Sequence, residues 1–359
     1  MRIYSAPNVS AFTGGGGKID TYINLQPGTY NTVVQAWDYC GNVGKSYITI
    51  TVTAVTKPAG FVYALNSYFN ADKTNSNVHG FTIVGSNGAL ASTLQGPVSA
   101  NIEPAAIAAD KGGYRLYVAD YVSGDVFPYF INSRNGYLST VPGSPFPAHR
   151  SVAAVAVHPS GALVFAALSQ YATGDGVAVF QVQSNGSLKE APGSPYPVQS
   201  GPQTLSVDPS GNYLYVGSGS GYVEAFQINT VSAALTPLPG SPYKVSSQAC
   251  GSAYPRDVIN FLGKYLYVGD GTSGEIDGYG VTGAGTLSGL AGSPWVDTRC
   301  EGAAIDDPLF SYSPRSMTID GTGKFLYALN MWEANIAIYA IQPNGALKFL
   351  KFAAQNSAC

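Results

Sequence analysis

The residues best suited to chemistry in this chain are a few charged side chains at the starts of repeated segments. Two arginines, in Pro255-Arg256 and Pro314-Arg315, stand in equivalent places of one repeat. A guanidinium group binds a carboxylate or a phosphate through two parallel hydrogen bonds, so the pair could hold an anionic ligand. The alternative is a structural ion pair between each arginine and a neighbouring acid such as Asp257 or Glu301.

Acid-base chemistry has two candidates. His149 lies in a predicted loop beside Arg150 and is the one histidine placed for proton transfer. Glu301, in a long acidic loop, is the second. Glu103 precedes a predicted inner strand, and the ring of Trp332 could stack on a sugar or a peptide or simply pack at a rim. Together with the two arginines, these two residues form the predicted ligand-binding set.

The remaining histidines and acids have plainer interpretations. His158 shares its repeat position with Asp110, Asp208 and Asp320, which predicts a turn residue. Asp306-Asp307 and Glu301 could take Ca²⁺ through oxygen ligands, but a solvated acidic loop is the favoured interpretation. No spacing of His and Cys resembles a metal site. We therefore expect neither a metal nor a cofactor.

The cysteines indicate a disulfide. Cys250 and Cys300 lie in equivalent loops of consecutive repeats, 10 and 8 residues after the glycine of a Gly-Ser-Pro tag. Adjacent repeats would bring these loops together, so we predict a Cys250–Cys300 bond, which suits an oxidising compartment. Cys40 and Cys359 have no evident partner.

These residues must be positioned by a repeat of about fifty residues. Asn-Gly-x-Leu occurs at 87–90, 135–138, 185–188 and 344–347, and an aromatic residue marks one strand of each unit, at Tyr63, Tyr117, Phe165, Tyr215, Tyr267 and Tyr327. Such a period indicates a stacked or radial array in which no unit buries its apolar face alone. Four short strands with tight turns per unit predict an all-β propeller of four-stranded blades over residues 57–359. Six units are recognisable, so the ring is six-bladed or, as we favour, an incomplete seven-bladed one.

Residues 1–56 carry none of the repeat tags. Three β-branched segments alternate here, and the stretch LQPGTYNTVVQAWDYCGNVGKSYITITV resembles the last strands of a bacterial immunoglobulin-like domain. Half of such a sandwich would expose an unpaired strand edge. Self-assembly by strand addition at this edge is one functional hypothesis.

Composition excludes some classes of function. Only 11% of the 359 residues are charged, and 18 scattered Lys and Arg do not make a nucleic-acid surface. No apolar run is long enough to span a bilayer. The first residues lack the apolar segment of a signal peptide, yet the low charge is typical of an extracytoplasmic protein. We expect a secreted or cell-surface protein that is a piece or a processed form of a longer precursor.

The repeats resemble the lactonase-like seven-bladed propellers, the family of bacterial 6-phosphogluconolactonase. The resemblance rests on residues 158–198, 208–228 and 321–350, with their Pro-Ser-Gly, Asn-Gly-x-Leu and Pro-Gly-Ser-Pro elements, and extends over about 300 residues. It implies a central cleft with His, Glu and Arg near the inner-strand starts. The two Pro-Arg pairs match, but Asp257 and Ser316 replace the His that often follows.

Two further functional hypotheses follow from the resemblance. The first, which the missing His favours, is an extracytoplasmic binding or surface-assembly module whose variable loops hold a small anionic or sugar-like ligand or a protein partner. The alternative is a lactone hydrolase in which Arg256 and Arg315 position an anionic sugar lactone and His149 or Glu301 moves protons.

Overall fold

The computed structural model describes residues 2–5, 28–37, 42–52, 60–66, 76–84, 88–99, 103–169, 175–199, 201–245, 255–261, 264–271, 275–296, 314–330 and 335–353. The chain divides into two units, Met1–Pro58 and Ala59–Cys359. All regular structure in the described residues is β-strand. Within these ranges, no helix has the length and apolar character needed to cross a bilayer.

The first unit contains one antiparallel sheet. Its strands are β1 (Arg2–Ser5), β2 (Gly28–Trp37) and β3 (Val43–Val52), in the order β1-β2-β3. The long β2–β3 ladder pairs Gly28 with Val52 and Trp37 with Val43. The immunoglobulin-like character of this segment stays a prediction.

The described residues of the second unit form the six four-stranded blades of a β-propeller, one for each recognisable repeat. Blade 1 comprises β4 (Phe61–Asn66), β5 (Asn77–Val84), β6 (Ala89–Ser92) and β7 (Val98–Ser99). Blade 2 comprises β8 (Pro104–Ala109), β9 (Arg115–Asp120), β10 (Asp125–Ile131), β11 (Leu138–Thr140) and β12 (Phe146–Pro147). Blade 3 comprises β13 (Val152–Val157), β14 (Leu163–Leu168), β15 (Gly176–Val182), β16 (Leu188–Glu190) and β17 (Tyr196–Pro197).

The last three blades repeat this pattern. Blade 4 comprises β18 (Pro202–Val207), β19 (Tyr213–Ser218), β20 (Tyr222–Ile228), β21 (Leu235–Pro237) and β22 (Tyr243–Lys244). Blade 5 comprises β23 (Pro255–Phe261), β24 (Tyr265–Asp270), β25 (Glu275–Val281), β26 (Leu287–Gly289) and β27 (Trp295–Val296). Blade 6 comprises β28 (Pro314–Ile319), β29 (Phe325–Asn330), β30 (Asn335–Ile341) and β31 (Leu347–Ala353). In blade 1 the inner strand is absent from the described residues.

The short strand that ends blades 1 to 5 is a feature that the sequence did not predict. It pairs back onto the third long strand, as β17 does on β15. The serine of the Gly-Ser-Pro tag stabilises this arrangement, because Ser194 Oγ accepts a hydrogen bond from the Val179 N–H at 3.0 Å, and Ser241 and Ser293 repeat the contact. The tag is therefore a structural element of the outer blade edge.

The apolar core lies between the blades. Five clusters of buried side chains each join two consecutive blades, from blades 1 and 2 to blades 5 and 6. Tyr215, for example, packs with Leu266 and Val268 of the next blade. Three tyrosine hydroxyls also donate across these interfaces to the carbonyl of the next blade's hairpin glycine, as Tyr267 does to Gly345 at 2.8 Å.

The predicted turn role of His158 agrees with its contacts. Its Nδ1 lies 2.7 Å from Ser160 Oγ. In the equivalent turn of the next blade, the Asp208 carboxylate accepts a hydrogen bond from the Ser210 hydroxyl. The Nε2 of His158 lies 2.9 Å from the Gly211 carbonyl oxygen of that next turn. This histidine is buried and ties two neighbouring turns together, which leaves it no role in a cleft.

Candidate functional site

The inner strands of blades 2 to 6 lie side by side, from β8 to β28. Each begins with a β-bulge, and the register shift between Pro202 and Thr204 in β18 is typical. A bulge adds one residue without a partner on the neighbouring strand and re-aims its side chain. The five added residues form what we call the bulge arc, at the starting ends of the central strands: Ala105, Ala153, Gln203, Arg256 and Arg315.

Gln203 shows how a side chain of the bulge arc is placed. Its Nε2 donates a hydrogen bond of 2.9 Å to Ser169 Oγ, which belongs to the preceding blade. Ser169 is fully buried and directly follows β14. The side chain therefore bridges two blades at the centre of the propeller.

The residues opposite the bulge arc are small where the arc residue is long. In each of blades 2 to 5, the first residue of the inner strand pairs with a residue of the second strand. The residue that follows this partner is Tyr121, Ser169, Gly219 or Gly271, in blade order. Gln203 of blade 4 contacts Ser169 of blade 3, so we match each arc residue with the corresponding residue of the preceding blade. Ala153 then opposes Tyr121. The same count places Gly219 opposite position 256 and Gly271 opposite position 315. The sequence thus leaves room at the two arginine positions, whose side chains lie outside the described part of the structure.

Glu103 is a carboxylate at the same end of the inner strands. It immediately precedes β8, and its backbone N–H donates to Asp120 Oδ2 at 2.7 Å. The Asp120 carboxylate accepts this hydrogen bond and two more, from the N–H groups of Val122 and Ser123, at 2.7 and 2.8 Å. The Glu103 side chain is partly exposed, and within the described ranges its carboxylate has neither a hydrogen bond nor an ion pair. Its predicted role in ligand binding stays a prediction.

Two buried carboxylates hold the segment that leads to Gln203. This crossover segment leads from blade 3 to blade 4 and is described at residues 198, 199 and 201. Asp175 Oδ2 accepts a hydrogen bond of 2.7 Å from the Gly201 N–H. Glu224 Oε1, on the third strand of blade 4, accepts one of 2.5 Å from the Gln199 N–H. The position of Gln203 therefore depends on both acids.

Glu224 is electrostatically unusual. Burial raises the pKa of its carboxyl to about 7, although the hydrogen bond from Gln199 opposes this change. Desolvation penalises the charged form of a carboxyl group, so the raised pKa is expected for a side chain that is 7% exposed. Glu224 consequently changes charge near neutral pH.

His149 contacts the outer part of blade 3. Its side chain is 70% exposed, and Nε2 lies 3.9 Å from Oε2 of Glu190 on the outer strand β16. Glu190 also accepts a hydrogen bond of 2.8 Å from the Ser194 hydroxyl. His149 has a positive φ of 65°, so its backbone lies in a left-handed turn. Its predicted catalytic role stays a prediction, since nothing described brings it to the inner strands.

Several predicted site residues are not among those that the structure describes. Outside the described residues lie Glu301, Trp332, Cys250 and Cys300, so the catalytic glutamate, the stacking tryptophan and the disulfide stay predictions. Among the side chains that are described, no three or more His, Cys, Asp or Glu converge on a possible metal position.

Sequence reasoning missed Gln203, Asp175 and Glu224 as determinants of the site. Gln203 could have been found, because it occupies the repeat position of Arg256 and Arg315. Glu224 interrupts the apolar side of a strand, at the position of Ala178 in blade 3, which is a weaker signal. Asp175 lies in a loop outside the repeated motifs, so no sequence pattern identified it.

Comparisons with known proteins relate part of this propeller to a known family. Residues 133–250 match the family model described as lactonase, 7-bladed β-propeller. This stretch, about a third of the chain, is similar to the lactonase propellers. No curated protein sequence gives a significant match.

Solved structures similar to this chain agree in fold. The periplasmic gluconolactonase of Pseudomonas aeruginosa has a TM-score of 0.65 at 17% identity, over 90% of this chain and 96% of that one. A candidate 6-phosphogluconolactonase of Bacteroides uniformis has a TM-score of 0.64 at 18% identity, over 81% of each chain. At these identities the likeness concerns the fold alone.

Proposed function

We propose that the propeller hydrolyses a sugar lactone that carries an anionic group. The observation that carries this proposal is the lactonase family match together with the bulge arc, which gives adjacent inner strands equivalent arginine positions, 256 and 315. The sequence alone favoured a non-catalytic surface module. The comparisons give that hypothesis no support and favour its alternative.

Lactone hydrolysis needs two contributions from the protein. A base accepts the proton of the water that adds to the carbonyl carbon, and positive charge or N–H donors stabilise the oxyanion that forms. The ring C–O bond then breaks and the ring oxygen takes up a proton.

In our proposal Arg256 and Arg315 bind the anionic group of the substrate, since two guanidinium groups favour bidentate contacts with phosphate or carboxylate. Glu103 accepts the proton of the attacking water, because it is the described carboxylate at the bulge arc that no protein group engages. Gln203, at the equivalent position of blade 4, orients substrate hydroxyl groups in this proposal. A periplasmic or secreted location accompanies the proposal, as the Pseudomonas neighbour is named periplasmic.

The test measures hydrolysis of 6-phosphogluconolactone and gluconolactone by the full chain, with the released acid followed in a pH-indicator assay. We expect Arg256→Ala and Arg315→Ala each to lower kcat/KM for the phosphorylated lactone by roughly 100-fold, since a charged contact in a cleft contributes a few kcal/mol. Glu103→Gln should lower kcat by about 100-fold or more with little change in KM. Lys189→Ala and Glu190→Gln, on the outer strand β16, are the matched controls.

Two results would contradict the proposal. One is hydrolysis of both lactones no faster than in buffer. The other is an Arg256→Ala/Arg315→Ala double variant that keeps the activity of the parent chain, because then the bulge arc has no part in the reaction.

A further inference from the structure

Blade 2 carries a large aromatic side chain where the inner strands begin. Tyr121 directly follows β9, and its side chain is 37% exposed. The equivalent residues of blades 3, 4 and 5 are Ser169, Gly219 and Gly271. Three blades of the same design thus have serine or glycine at this position, so the repeat itself requires no large side chain here.

Hydrogen bonds fix the backbone that carries Tyr121. Its N–H donates to the carbonyl oxygen of Glu103 at 3.2 Å. The buried carboxylate of Asp120 accepts hydrogen bonds from the N–H groups of Glu103 and Val122, each at 2.7 Å. The ring therefore projects from a backbone that is already ordered, and a ligand that stacks on it does not have to order the chain first.

Glu103 and Tyr121 are cross-strand neighbours. Pro104 pairs with Asp120, so the residues one step further along are Glu103 and Tyr121, which share the hydrogen bond between their backbones. Residues directly opposite on antiparallel strands project to the same side, with Cβ atoms about 5 Å apart. Among the described residues, the Tyr121 hydroxyl and the Glu103 carboxylate have no hydrogen-bond partner. The pair therefore presents a carboxylate and an aromatic ring side by side.

The same backbone contact recurs in the next two blades without these side chains. The Ser169 N–H donates to the Ser151 carbonyl oxygen at 2.9 Å, and the Gly219 N–H donates to that of Gly201 at 2.7 Å. The pair is thus Glu and Tyr in blade 2, two serines in blade 3 and two glycines in blade 4. Because small residues make the same contact, the carboxylate and the ring of blade 2 are additions to the repeat.

The arc residues nearest to Tyr121 in the repeat are alanines. The equivalent Ser169 gives its hydroxyl to Gln203 of the next blade, whereas Tyr121 opposes Ala153. Ala105, the arc residue of blade 2 itself, is exposed. In the described part of the chain, Tyr121 takes part in none of the aromatic ring pairs. Blade 2 therefore contributes an aromatic side chain to the arc, where blades 4 to 6 contribute glutamine or arginine.

An aromatic face beside a carboxylate suits a carbohydrate ring. The C–H groups on one face of a pyranose ring pack against an aromatic side chain, and its hydroxyl groups donate hydrogen bonds to a carboxylate. We propose that Tyr121 is the platform on which the sugar ring of the substrate stacks, next to Glu103. This inference rests on the proposed lactone hydrolysis and extends it from the anionic group of the substrate to its ring.

Hydrolysis of two lactones by the full chain tests the platform. Tyr121→Ala should raise KM for 6-phosphogluconolactone and for gluconolactone by about 10-fold each, because both contain the ring, and should change kcat by less than about 3-fold. Tyr121→Phe keeps the ring and should behave as the parent chain. Tyr114 is 64% exposed and directly precedes β9, at the other end of the same strand. Tyr114→Ala is therefore the matched control and should leave both KM values unchanged.

Calorimetric titration measures the platform without catalysis. The probe is glucose 6-phosphate, a pyranose with no lactone bond to hydrolyse. Tyr121→Ala should weaken its binding by about 10-fold, whereas binding of glycerol 3-phosphate, which has the phosphate but no ring, should stay the same. The Tm of Tyr121→Ala should lie within a few degrees of that of the parent chain, since the side chain is partly exposed.

The outcomes separate this inference from the proposed function. A parent chain that hydrolyses the lactones, with unchanged KM in Tyr121→Ala, would overturn the platform and leave the proposed function intact. A parent chain that hydrolyses neither lactone would refute the proposed function, and the glucose 6-phosphate titration then decides the platform alone. Undetectable binding, unchanged binding in Tyr121→Ala, or equal losses for glucose 6-phosphate and glycerol 3-phosphate would each overturn it.

Discussion

Glu224→Gln should make the protein more stable at alkaline pH and leave it nearly unchanged at acid pH. Burial raises the folded-state pKa of Glu224 from 4.5 to about 7. The favourable contribution of the protonated group is therefore complete below about pH 4.5, and it is lost as pH rises through 7. A difference of roughly 2.5 pKa units corresponds to about 3 kcal/mol in the free energy of unfolding. The amide of glutamine can still accept the hydrogen bond of the Gln199 N–H, so the crossover segment keeps its anchor.

Urea denaturation at pH 4.5, 6 and 8, followed by tryptophan fluorescence, measures this effect. Glu224→Gln should have a higher free energy of unfolding than the parent chain at pH 8, by up to about 3 kcal/mol, and should match it within about 0.5 kcal/mol at pH 4.5. Glu190→Gln, on a half-exposed outer-strand residue, is the control and should run parallel to the parent chain. Parallel curves for Glu224→Gln would refute the assignment of a buried, titrating carboxylate to this position.

Two further pairs of variants test the interfaces between blades by equilibrium denaturation. Tyr267→Phe removes a buried hydrogen bond to the next hairpin and should cost about 1–2 kcal/mol in the free energy of unfolding. Tyr327 has the equivalent position in blade 6, where the described residues show no such bond, so Tyr327→Phe should cost almost nothing. Equal costs would mean that the hydroxyl bonds do not stabilise the propeller. Gly285→Ala should cost more than Gly88→Ala by about 1 kcal/mol or more, because both glycines have a positive φ but only at Gly285 does the new methyl meet a ring, that of Tyr213. A reversed order would show that the hairpins are free to move.

Local sequence signals predicted most of the fold. The Asn-Gly-x-Leu hairpins and the Asp or His turn residues act within a few residues of themselves, so their effect can be inferred from spacing alone. The added short strands, such as Tyr196–Pro197, were not predicted, because two residues carry no periodicity and their pairing with β15 is a tertiary contact.

The site was less predictable, for a physical reason. The arginine positions could be found, since a Pro-Arg pair recurs at a fixed place in the repeat. The contact of Gln203 with Ser169, and the anchoring of Gln199 by Glu224, join residues of different blades. Such pairs depend on how one blade sits on the next, which a single sequence does not contain.

Blades 1 and 6 each expose a strand position that the other blades bury, Val62 at 36% and Ile336 at 39%, and this bears on how the propeller unfolds. A closed ring has no end, so each blade must lose two neighbours before it can leave. An array with two free ends can unfold by successive release of its terminal units, as linear repeat proteins do. Amide hydrogen exchange would then follow a gradient, fastest in the two terminal blades and slowest around Phe165 and Tyr215 in the middle of the array.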